Sequence, residues 1–171
     1  VPVLTPRLSS HWIGLVTPLP AGLAKPLVES LSAEVVVHDH AIDDVLPGGA
    51  AVFQVPVLAF PETLPPGRME DYDPLRAYLA DTGTLRWSYG AVKGRPEADW
   101  QARVRDDVGL LGALPGLLGL GFEGLWVDTW GYGDGSAHQA QAARLPAEPG
   151  ASPLRTPDRR SLFFGLRPDR G

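Results

Sequence analysis

The fold is decided at Gly121–Gly135, GFEGLWVDTWGYGDG. The stretch opens as a glycine turn and becomes apolar over Leu125-Trp126-Val127. It ends in an acidic, aromatic, glycine-rich tail carrying Asp128, Trp130, Tyr132 and Asp134. A short apolar run bounded by turn residues is the pattern of a buried strand. In open α/β sheets, residues just past the carboxyl end of a strand form the rim where ligands bind. The expectation is therefore a core strand over Leu125–Thr129 whose glycine-rich exit leaves polar groups exposed.

Working outward, other apolar runs alternate with helical patterns. Ala51–Leu58 (AVFQVPVL) reads as a buried strand that Pro56 either ends or confines to an edge. A proline-rich loop, Phe60–Arg68, follows. Tyr72–Ala80 reads as a helix opened by Asp71 or Asp73, with Pro74 in its first turn. Next come a strand over Thr84–Tyr89, a loop over Ala91–Glu97, and a helix over Ala98–Leu118 interrupted near Gly112–Pro115. Ala137–Arg144 reads as a short helix, and Ser161–Leu166 as a last strand after a turn at Thr156-Pro157-Asp158. Ahead of these lie a strand at His11–Thr17, a helix starting near Lys25 and a strand at Glu34–His38, which make a βαβ unit. The pattern predicts two units, 1–47 and 50–171. The class is α/β, with a mostly parallel or mixed sheet of about five to six strands flanked by helices.

Composition narrows the function classes. The 171 residues carry 15 basic and 20 acidic side chains, for a net charge of −5, and no basic block. A phosphate backbone requires clustered Lys and Arg, so a nucleic-acid partner is not expected. Cysteine is absent, which excludes disulfides, thiolate metal sites and thiol catalysis. No apolar run reaches the ~18–20 residues of a membrane span; the longest, Val108–Phe122, is broken by Pro115 and several glycines. The chain opens on Val1-Pro2-Val3-Leu4, which reads as a cut from something longer. Compartment and oligomeric state stay open.

Gly119-Leu120-Gly121-Phe122-Glu123-Gly124 matches the dinucleotide pattern G-x-G-x-x-G letter for letter. That chemistry needs a strand before the glycines and a helix after them. Here the order is reversed, so the reading is a helix C-cap turning into a strand, and no cofactor is expected. His38 and His40 have the i, i+2 spacing that places two imidazoles on one side of a strand, but no third ligand stands at a fixed spacing, so no metal is expected.

Arg86, Trp87, Ser88, Tyr89 and Lys93 lie on and after one strand, and Asp128, Trp130, Tyr132 and Asp134 after another. Carboxyl ends of parallel strands share one edge. The candidate ligand-binding set is therefore Glu62, Arg86, Tyr89, Lys93, Asp128, Trp130, Tyr132 and Asp134. Aromatic faces beside carboxylates suit a sugar: the rings stack on the pyranose and the acids accept hydroxyl hydrogen bonds. Asp128 with Glu62 or Asp134 would supply the two carboxylates of glycoside hydrolysis if their separation were right. The plainer alternative makes Trp87 and Trp126 core residues, pairs Arg86 with an acid, and leaves Tyr132 and Asp134 shaping a turn.

Two stretches resemble known families. VFQVPVLAFPE, MEDYDPLRAYL, TLRWSYGAVKGRPEADWQ, GFEGLWVDTWGYGDG and SLFFGLRP, spread over residues 52–168, resemble the soluble extracytoplasmic C-terminal domain of multi-pass bacterial membrane glycosyltransferase-like proteins. This implies an accessory, non-catalytic domain facing carbohydrate or glycolipid; any transferase site would lie in the membrane-embedded part. LTPRLSS, WIGLVTPLP and KPLVESL before EVVVHD, within residues 3–46, resemble the C-terminal part of NmrA-like atypical short-chain dehydrogenase NAD(P)H-binding proteins. This implies an inactive reductase fragment, because the family's cofactor-binding half would precede it. The resemblances meet near Pro47–Ala51, which implies a composite or a fragment.

Overall fold

The structure, a computed structural model, describes residues 41–42, 44–81, 84–107, 109–132 and 153–166. The expected βαβ unit at the N-terminus, His38 and His40, the helix at Ala137–Arg144 and Asp134 all lie outside the described residues.

Five strands form one mixed sheet: β1 (Ala51–Val55), β2 (Arg86–Trp87), β3 (Phe122–Asp128), β4 (Leu154–Arg155) and β5 (Ser161–Gly165), in the order β2-β1-β3-β5-β4. β1 runs parallel to both β2 and β3, while β5 is antiparallel to β3 and to β4. Three helices connect the parallel strands: α1 (Leu75–Ala80), α2 (Pro96–Asp107) and α3 (Gly109–Gly119).

The period of two along each strand sorts the side chains onto two faces. On one face Ala51, Phe53 and Val55 of β1 join Leu125 and Val127 of β3 and Leu162 and Phe164 of β5, beneath Ala113, Leu114 and Leu117 of α3. On the other, Val52, Trp87, Trp126 and Phe163 pack with Ala77 of α1 and with Ile42 and Leu46. Trp87 and Trp126 meet edge to face, centroids 5.7 Å apart; both are core residues, as the plainer reading has it. Helices thus cover both faces, and β1 connects toward β2 while β3 connects toward β5. The sheet therefore has a switch point between β1 and β3, the position where open α/β sheets bind ligands.

Several boundaries differ from the sequence reading for identifiable reasons. β1 stops at Val55, because Pro56 has no N–H to continue a ladder, and it is a central strand rather than an edge. β3 starts at Phe122, earlier than expected. A register shift against Ala51 and Val52 places both Phe122 and Leu125 on the α3 face, so a bulge hides the alternation. The helix expected from Tyr72 begins at Leu75, and neither Asp71 nor Asp73 caps it; the Asp73 carboxylate instead accepts the Glu70 N–H at 2.8 Å. The expected loop at 91–97 gives way to α2 at Pro96, a proline at the first helical position. The helix expected over Ala98–Leu118 is described as α2 up to Asp107 and α3 from Gly109, and Pro115, where an interruption was expected, is carried inside α3.

Candidate functional site

Asp128 ends β3 and decides the character of the rim. The expected exposed carboxylate is buried, 5% accessible. Arg160 closes on it with Nε at 3.1 and 2.9 Å from its two oxygens and Nη2 at 2.6 Å from Oδ2. The Trp130 N–H donates to Oδ1 at 3.0 Å. Nη2 of Arg160 also reaches Asp73 Oδ2 at 2.6 Å, and the guanidinium lies 4.0 Å from the centroid of the Trp130 indole. One arginine therefore joins the end of β3, the turn before α1 and the β4–β5 hairpin. Burial strips the guanidinium of water, but hydrogen bonds and charge from Asp128 and Asp73 outweigh that loss and hold its pKa above the ordinary arginine value.

The hairpin sequence explains why Arg160 arrives there. Asp128 pairs with Ser161 across β3 and β5, so the residue before Ser161 stands beside the end of β3. Thr156 Oγ1 accepts the Ser161 N–H at 2.8 Å, Asp158 Oδ1 accepts the Arg160 N–H at 2.9 Å, and the Arg160 carbonyl accepts both the N–H and the hydroxyl of Thr129. These bonds fix the turn with Arg160 facing inward, and its neighbour Arg159 takes a left-handed φ of 59°.

The β1–β3 switch point is filled by the chain itself. The proline-rich loop after β1 folds back over it: the Arg68 N–H donates to the Trp130 carbonyl at 2.9 Å. Gly67, with φ +64°, passes so close that a Cβ there would overlap the Trp130 carbonyl oxygen. Gly131 packs as tightly against Pro56 and Met69. Arg68 lies 5.0 Å from the Trp130 ring. One strand over, between β3 and β5, lies a small recess of about 10 Å³, room for roughly one water, lined by Asp73, Arg76, Trp126, Asp128, Thr156, Asp158, Arg160 and Ser161.

The other candidate residues divide. Tyr89, 4% exposed, joins Leu58 and Met69 in a small cluster against which Phe60 and Trp130 pack, so Tyr89 and Trp130 do share the carboxyl edge. Burial, then the nearby Tyr72 and Asp71, pushes the Tyr89 phenol up to about 12. Tyr132 turns to the α3 face instead, and burial followed by Asp128 raises its phenol well above the usual range. Lys93 and Glu62 meet on an exposed loop, where the Lys93 ammonium donates to the Glu62 carbonyl. Arg86 is at the opposite, amino-terminal edge. Its Nε donates to the Gly49 carbonyl at 2.7 Å, away from the rim, and among the described residues no acid is paired with it. Asp73, Arg160 and Ser161 were missed as site residues; the signal for the last two is the polar turn TPDRRS before the last strand, and Asp73 was read only as a helix opener.

Compared with known proteins, the chain significantly matches no family, no curated protein and no solved structure.

Proposed function

We propose that this chain is an accessory, non-catalytic α/β domain that faces carbohydrate, of the kind carried outside the membrane by bacterial glycosyltransferase-like proteins. The observation that carries the reading is the state of Asp128. It stands at the carboxyl end of a parallel strand beside an indole, an aromatic-acidic pairing suited to a sugar, yet both its oxygens are taken by N–H donors. A nucleophile or general base needs a free lone pair aimed at substrate. Asp73 and Asp128 bind one nitrogen at 2.6 Å each, so two of their oxygens approach within about 5 Å, near the spacing of a retaining glycosidase. The guanidinium fills the gap that the sugar's anomeric carbon would occupy, which favours recognition over cleavage. Among the described residues no helix is long and apolar enough to cross a membrane.

A thermal-shift screen tests the reading. Ligand that binds the native state raises its apparent melting temperature by mass action. Oligosaccharides are expected to raise it saturably and NADPH to leave it unchanged. A shift with NADPH alone would favour the reductase fragment instead.

A further inference from the structure

We draw no further inference here: the strongest candidate, the group of exposed apolar side chains Leu64, Tyr72 and Val92 on the loops that follow β1 and β2, carries nothing, because nothing among the described residues shows what covers it.

Discussion

Arg160 is the residue on which the carboxyl edge depends. Among the described residues, removing it leaves Asp128 a buried carboxylate without a countercharge and Asp73 with only the loose 4.0 Å contact to Arg76, and breaking a buried pair from one side costs about 3–5 kcal/mol. Arg160→Met is expected to lower the melting temperature by roughly 10 °C for a domain of this size. Pairing it with Asp128→Asn should recover part of the loss. A fall below about 1 kcal/mol in urea unfolding would mean that the pair is solvated and not structural. Arg159 next to it carries the opposite cost, a left-handed φ of 59° on a residue with a Cβ. Arg159→Gly is expected to gain about 0.5–1 kcal/mol, and an unchanged or lower midpoint would show that its side chain holds the turn. Tyr89 adds a pH dependence. Its folded pKa of about 12 exceeds the model-compound value of 10.0, so the protonated form contributes stability that is complete below pH 10 and is lost as pH rises toward 12. The stability advantage of wild type over Tyr89→Phe should therefore shrink across that window. An advantage constant from pH 9 to 12 would contradict the burial of the phenol. None of this pairing was legible in the sequence. Asp128 and Arg160 lie 32 residues apart, and Arg159 and Arg160 are the same letter. Only the register of β3 against β5 decides which of the two turns inward.

At the scale of elements, apolar runs were the readable part. AVFQV, the LWV of FEGLWVD and SLFFG were found as strands because each is a short, largely apolar run bounded by proline, glycine or charge. The order of elements around the glycines at 119–124 was legible too: α3 runs into them and β3 out of them. β4 was invisible because two residues, Leu154 and Arg155, carry no period. α3 was misjudged at Pro115, where local propensity predicts a break and tertiary packing overrides it: Ala113, Leu114 and Leu117 are buried around an exposed proline. Pro115 still deprives the helix of one N–H. Pro115→Ala is expected to stabilise the protein by about 1 kcal/mol or more, read from the urea midpoint. A loss would mean that the proline's restriction of the unfolded chain outweighs the missing bond. Gly67 marks the other junction, where the proline-rich loop meets Trp130. Its positive φ and the crowded carbonyl together predict that Gly67→Ala opens the loop, with increased hydrogen exchange at Arg68.

For the whole molecule, the doubly covered sheet offers its switch point between β1 and β3, and the chain occupies that place with its own loop. The carbohydrate-facing reading looks to the rim beside it, where Asp73 and Asp128 are both committed to Arg160. The aromatic-acidic composition of the rim was visible in the sequence. Its division was not, since Arg86 went to the far edge and Tyr132 to the α3 face. The most direct test of recognition without cleavage is to incubate the chain with an oligosaccharide that raises its melting temperature and to weigh the recovered sugar by mass spectrometry. Binding with the sugar returned intact is the predicted result. Shortened products that accumulate with protein and vanish in Asp128→Asn would contradict it.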